Sequence, residues 1–166
     1  MRIIYIAPSY YPHIGGVEYV VKSIAERLAK MGHEVTVLAG EPEIEVPKEE
    51  VINGVRVVRW PTWSPGGAYH IPKALGRLET FVREETKVAD VVHLHSVHSI
   101  FTIYTLRTLK DTDVRKVLTP HYHGTGHTPI RKALWILWRD TVRRLLKHIN
   151  IIHAVSMYEA SLIERH

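Results

Sequence analysis

The chain has 166 residues, 45% of them apolar, and a formal net charge of +5. That size and composition are those of one compact domain with a real core, which excludes disorder, and the absence of cysteine excludes disulfides, thiolate catalysis and cysteine-zinc sites. The moderately basic surface suits phosphate-bearing ligands, an anionic membrane or nucleic acid, without choosing among them.

Glutamine is absent and asparagine occurs only at Asn53 and Asn150, an avoidance of thermolabile residues that points to a thermophilic source. The opening Met1 to Ala7 has too short an apolar run, ended by Pro8, to be a signal peptide. No stretch approaches the roughly 20 apolar residues of a membrane span. A cytoplasmic protein is the expectation.

Arg2 to Ala7 reads as a buried strand stopped by Pro8. After the loop 8–16 comes an amphipathic helix, with Val17, Val20, Val21, Ile24, Leu28 and Met31 on one face and Gly32 as its stop. Glu18/Lys22 and Glu26/Lys30 are i,i+4 pairs in the favourable order. A strand from Glu34 to Ala39 completes a βαβ unit, which implies parallel strands. Asn53-Gly54 is a turn signal leading into a strand that ends near Trp60. Residues 61–67 read as loop, 72–87 as helix, 90–95 as strand and most of 97–110 as helix. A strand over 116–119 is ended by Pro120, and a helix covers about 130–148. A strand over 151–155 precedes a last helix opened by the capping box Ser156-Met-Tyr-Glu159. The alternation predicts an α/β fold: a Rossmann-like, open, mainly parallel sheet with helices on both faces.

Ligands of such sheets sit beyond the carboxyl ends of the strands. The loops 8–16, 95–99 and 120–129 leave those ends, and they are the loops richest in Gly, His and Tyr. Gly15-Gly16 would let backbone approach a ligand closely at a helix N-terminus, where a phosphate is the natural guest. The pair is neither a G-x-G-x-x-G fingerprint nor a P-loop. His93-Leu-His95-Ser-Val-His98 has the spacing of the metal motif of the metallo-β-lactamase fold. Val97 stands where that motif needs an aspartate, so no metal is expected. Thr119 to His127 places His121, His123 and His127 in a shaped loop, where an imidazole can donate to a sugar hydroxyl or phosphate. The helix near 130–148 interleaves Arg and Lys with Trp and Leu. It can lie on an anionic membrane as a peripheral contact, although packing on the sheet is the commoner use of such a face.

Taken together, Tyr11-Pro-His-Ile-Gly-Gly-Val-Glu18, Gly32-His33-Glu34-Val-Thr-Val, Asp90-Val-Val-His-Leu-His, Thr119-Pro-His121 and Ala154-Val-Ser156 resemble family 4 of the glycosyltransferases, in the manner of its phosphatidylinositol mannosyltransferases and of the catalytic subunit of GPI-anchor N-acetylglucosaminyl transfer. The resemblance implies the N-terminal, acceptor-side half of a two-domain GT-B fold. It implies a retaining transferase that moves a sugar from a UDP- or GDP-sugar to an acceptor, whether a sugar, a lipid-linked or a phosphorylated molecule. By the same resemblance Gly15 and Gly16 would face the sugar-nucleotide phosphate or the acceptor. His121 would reach the transferred sugar, and His95 would lie near the cleft. The family's glutamate pair and diphosphate-holding cations belong to a C-terminal donor-binding domain absent from residues 1–166, so this chain alone is expected to be inactive. The nucleotide-sugar is a substrate, and no metal, cofactor or nucleic acid is expected. The alternatives are a stand-alone binding domain for a phosphate or sugar ligand, without turnover, and a metallohydrolase built on the histidines.

Overall fold

The computed structural model describes residues 1–67, 69–122 and 129–165. The strands are β1 (Arg2–Ala7), β2 (Glu34–Glu41), β3 (Lys48–Ile52), β4 (Val55–Trp63), β5 (Ile71–Pro72), β6 (Val91–His95), β7 (Arg115–Thr119) and β8 (Ile151–Ile152). The helices are α1 (Gly16–Lys30), α2 (Leu75–Thr86), α3 (Ile100–Thr108), α4 (Pro129–Leu146) and α5 (Met157–Arg165). The sheet runs in the order β3-β4-β2-β1-β6-β7-β8, with β5 attached to β4. Pairings from β4 through β2, β1, β6 and β7 to β8 are parallel, whereas β3 and β5 are antiparallel to β4. Winding moves outward from β1 to β2, then reverses to β6 on the other side of β1.

Alternation along β1 divides the core. Ile4 and Ile6 join one cluster with Leu78 and Val82 of α2, Phe101 and Leu106 of α3, and Val142 and Leu145 of α4. Ile3, Tyr5 and Ala7 join a second with Val21 and Ala25 of α1. Each face of β1 is thereby kept from water, as a central parallel strand requires.

Several boundaries differ from the sequence reading. The Asn53-Gly54 turn closes a true hairpin between β3 and β4, both of its central residues having positive φ. β4 continues through Pro61 to Trp63 instead of stopping near Trp60. Pro61 occupies the last rung with β2, and its carbonyl accepts from Lys73 N at 2.9 Å. A proline at a strand end removes no ladder donor that the sheet needs. α2 begins at Leu75, three residues later than 72, after a left-handed Ala74. α3 begins at Ile100, where the Ser99 hydroxyl caps it by accepting from Thr102 N. β8 ends at Ile152, although His153 N still donates to Leu118 O at 2.8 Å.

On α1, Lys22 pairs forward to Glu26 at 2.7 Å, and Glu18 turns away from it to Ser9. The basic helix α4 lays Trp138 against the sheet, its indole N–H donating to Val97 O at 3.0 Å. Among the described residues no helix is long and apolar enough to cross a membrane.

The first loop leaves β1 by crossing β2 at Gly40, whose N–H donates to Pro8 O at 3.1 Å. A Cβ on Gly40 would lie 2.5 Å from Pro8 O and 2.9 Å from Thr62 Cγ2. Gly40→Ala should therefore destabilise the chain by about 1–3 kcal/mol through overpacking against backbone. Urea unfolding reads it as a lower midpoint with an unchanged slope, and a parental midpoint would mean that the crossing has slack.

Candidate functional site

Winding reverses between β1 and β6, and the exits of β1, β6 and β7 bring polar groups to the carboxyl edge of the sheet. The first loop is pinned from beneath. His13 Nε2 lies 2.9 Å from Glu41, and the Arg59 guanidinium reaches Glu41 at 3.3 Å, Glu50 at 2.5 Å and the Tyr11 carbonyl at 2.5 Å. Glu41 and Arg59 are both buried, so charge neutralisation and hydrogen bonds offset their desolvation.

Gly15 and Gly16 stand at the expected strand-to-helix junction. Gly15 is the extended N-cap residue of α1 and Gly16 its first helical residue. Neither has a positive φ, so left-handed backbone is not why glycine stands there. Gly15 leaves room for the Glu18 carboxylate, which a Cβ there would strike; among the described residues nothing lies within 4 Å of a Cβ placed on Gly16. Glu18, which accepts from the Ser9 hydroxyl, thus brings its own carboxylate to the helix N-terminus where an anion is favoured.

His93 and His95 project from the same face of β6, with ring centroids 4.3 Å apart, beside Tyr5 of β1. His93 Nε2 is 2.8 Å from the Thr119 hydroxyl, which is 3.1 Å from His153 Nδ1. His95 is wholly buried, and its Nδ1 lies 3.0 Å from His121 Nε2. Burial, followed by the neighbouring imidazoles, pushes His93 down to about 4 and His95 to about 2. His121 is also lowered, mainly by burial; the carboxylates of Glu159 and Glu18 pull the other way and His153 adds to the lowering. All three rings are neutral near pH 7. His98 lies elsewhere, between Tyr122 and Trp135, at 5.8 and 4.5 Å between centroids. The three histidines of H-x-H-x-x-H therefore do not converge, and among the described residues no group of His, Asp or Glu is placed to hold a metal.

His121 sits in the left-handed region at φ 49°, and Ser96 at φ 73°. Backbone bonds hold these sharp exits: Ser96 N to Thr119 O and Val97 N to Pro120 O, each 3.0 Å. Glu159 of α5 does the rest. It is buried, and its carboxylate accepts from Tyr122 N at 2.5 Å and Val155 N at 2.6 Å. Ser156 caps Glu159 N at 3.1 Å, but the return half of the capping box goes to Val155 and the His121 loop instead of to Ser156. Opposite, residues 69–74 run back along the edge through left-handed Tyr69, His70 and Ala74, and the His70 Nδ1 lies 3.1 Å from the Ser64 hydroxyl.

Sequence reasoning named Gly15, Gly16, His95 and His121 as candidates, and the fold places all four at the carboxyl edge of the sheet. It missed Glu18, which looked like a helix-surface pair, and His70 and Glu159, which only tertiary contacts bring to that edge. His123 and His127 lie outside the described residues.

The family model described as Glycosyltransferase Family 4 matches residues 14–166. The chain is 35% identical over 104 residues to a GDP-mannose-dependent alpha-mannosyltransferase of Mycolicibacterium smegmatis, across 58% of this chain and 26% of that protein. Its fold is similar to sucrose-phosphate synthase from Thermosynechococcus elongatus, at a TM-score of 0.67 and 16% identity, covering 99% of this chain and 45% of that one. It is also similar to the structure described as trehalose-6-phosphate from E. coli bound with UDP-2-fluoro glucose, at 0.55 and 12%, covering 97% and 41%. The chain thus spans about a quarter of the curated relative and under half of these structures.

The buried histidines set a pH dependence of folding. Unfolded, each titrates near 6.5; folded, His93 and His95 remain neutral down to about 4 and about 2. Between those limits the unfolded chain binds protons that the folded chain refuses. Their contribution is complete above pH 6.5 and is lost as pH falls, by about 1.4 kcal/mol per pH unit for each ring. Urea unfolding at stepped pH from 7 to 5 should show that decline, and His95→Leu should remove one ring's share. A flat profile would mean that the rings already accept protons in the fold.

Proposed function

We propose, from the premise that the chain belongs to glycosyltransferase family 4, that it is the acceptor-side domain of a retaining transferase. Such an enzyme moves a sugar from a UDP- or GDP-sugar to a hydroxyl of an acceptor. The observation that carries the proposal is the convergence of the first loop and His121 at the β1/β6 reversal in a domain of this family. Donor chemistry is read from the relative's name, which specifies GDP-mannose.

The charge distribution defines the division of labour. The carboxylates of Glu159 and Glu18 are the larger charge influences on His121, with His153 opposing them. Such surroundings suit a sugar and its hydroxyls better than a diphosphate leaving group, which needs cations or many N–H donors. The donor's diphosphate is accordingly held chiefly by groups outside residues 1–166, in the length that the relatives have and this chain does not cover. Gly16 is placed to let α1 backbone approach the remaining phosphate oxygen or the acceptor, since nothing crowds it. His121 hydrogen-bonds a hydroxyl of the transferred sugar and positions it as the glycosidic bond breaks. No metal is assigned a step. A position at the membrane surface is compatible with the exposed arginines of α4, whose apolar side is committed to the core. The second reading, a ligand-binding domain without turnover, needs no donor half, and assays of residues 1–166 joined to that half separate the two.

In that two-domain enzyme, His121→Ala should lower kcat by roughly 100-fold, the scale of losing one well-placed polar group. The acceptor KM should change less, because the interaction strengthens in the transition state. His123→Ala is the control, and equal losses in the two variants would reduce His121 to a loop anchor. Gly16→Val should keep the melting behaviour of the parent, given the open space there. It should weaken donor or acceptor binding at least several-fold by calorimetry; unchanged affinity for both would remove the first loop from the site.

A further inference from the structure

We infer that His95 is a positioning residue: by donating from Nδ1 it fixes His121 as the tautomer that carries its proton on Nδ1. The inference rests on the assignment of His121 to the sugar only for its consequence; the tautomer itself belongs to the unliganded chain.

The geometry leaves two arrangements. His95 Nδ1 and His121 Nε2 share one hydrogen bond at 3.0 Å, so one nitrogen donates and the other accepts. Among the described residues His95 Nε2 is buried with no hydrogen-bond partner. If His121 donated, neutral His95 would carry its proton on Nε2, and that N–H would be an orphaned donor in the protein interior. If His95 donates, Nε2 keeps only a lone pair, packed among the rings of His93 and Tyr5. Orphaned buried N–H groups are rarer and costlier than under-used acceptors. His95 is therefore the donor. Burial keeps the ring neutral, so a doubly protonated His95 does not provide a third arrangement. The backbone holds the donor in place, because Thr102 Oγ1 donates to the His95 carbonyl at 2.8 Å and anchors β6 to α3.

The consequence is chemical. With Nε2 accepting, neutral His121 carries its hydrogen on Nδ1, and whatever meets that nitrogen meets a donor. The ring offers a hydrogen bond to an oxygen and cannot remove a proton through Nδ1. The other titratable groups facing the pair are His93, His153, Glu18, Glu159 and Tyr5. None of them takes the His95–His121 bond.

The test is nitrogen NMR on the 166-residue chain labelled with ¹⁵N-histidine, without ligand, at pH 7. Long-range proton–nitrogen spectra report which nitrogen of each ring is protonated, and removing one histidine at a time assigns them. The expected parent spectrum has protonated Nδ1 on both rings, bare Nε2 on His121, and a nitrogen–nitrogen coupling across the bond. His95→Ala should shift His121 to the Nε2–H form that free imidazole side chains prefer, whereas His95→Asn, with an amide N–H in place of Nδ1–H, should retain Nδ1–H. Nε2–H on His121 in the parent overturns the inference, as does Nδ1–H surviving His95→Ala or lost equally in His95→Asn. The parent spectrum decides even if the alanine variant does not fold. Loss of kcat on removing His121 plays no part in this measurement, so the functional assignment and the tautomer fail separately.

Discussion

The reversal of winding at β1 is the constraint on which the site depends. A parallel sheet built outward from a central strand sends consecutive loops to opposite sides, and a crevice is left where they part. Here that crevice lies between the exits of β1 and β6. The first loop leaves β1 close against β2, which is possible because Gly40 presents no side chain to the Pro8 carbonyl. The exits of β6 and β7 turn sharply through left-handed Ser96 and His121, non-glycine residues held there by neighbouring backbone rungs. Glu159 then ties the exit of β7 to the start of α5 with two short bonds to backbone N–H groups. Each candidate side chain at the exits of β6 and β7 is thereby held by a hydrogen-bonded turn.

The electrostatics follow from that mounting. A chain with net charge +5 is basic as a whole, yet its candidate site is made of neutral imidazoles and carboxylates. Glu18 occupies the positive end of α1 that would otherwise draw an anion. Any phosphate entering here must displace that carboxylate or share the seat with it. A hydroxyl can bond to the same carboxylate and to His121 without either conflict. The proposed division of labour follows from that carboxylate: a locally neutral group fits the first loop with less conflict than a diphosphate does.

Most of the fold was legible because parallel strands buried on both faces are short apolar runs, and the helices between them carry a clear period. Positions 15, 16, 95 and 121 could be singled out from the sequence because they lie at or just beyond strand ends, beside Gly- and His-rich loops. What the pattern could not contain was partner choice. Glu18 and Lys22 have the spacing of a surface pair, yet each bonds to something else, since Ser9 and Glu26 offer better geometry in the folded chain. Glu159 has the spacing of a capping box, but the box is opened by competition from Tyr122 N, 37 residues away in sequence. Pro61 reads as a strand end because local rules penalise a missing donor, and nothing local says that the last rung needs none.

Position 95 shows why a buried histidine is not mere filling. Its site could be occupied by leucine or phenylalanine, which would bury apolar surface and leave no polar atom unsatisfied. An imidazole there is desolvated, keeps one nitrogen without a partner among the described residues, and makes folding sensitive to acid. Those are costs to stability with no return inside the core, because the ring's one side-chain bond points outward to His121. A polar group that weakens the interior and spends its only ring hydrogen bond on a residue at the rim is arranged for the rim. His93, His95 and His121 pack as one cluster, in which burial lowers all three rings and His95 hydrogen-bonds the outermost one.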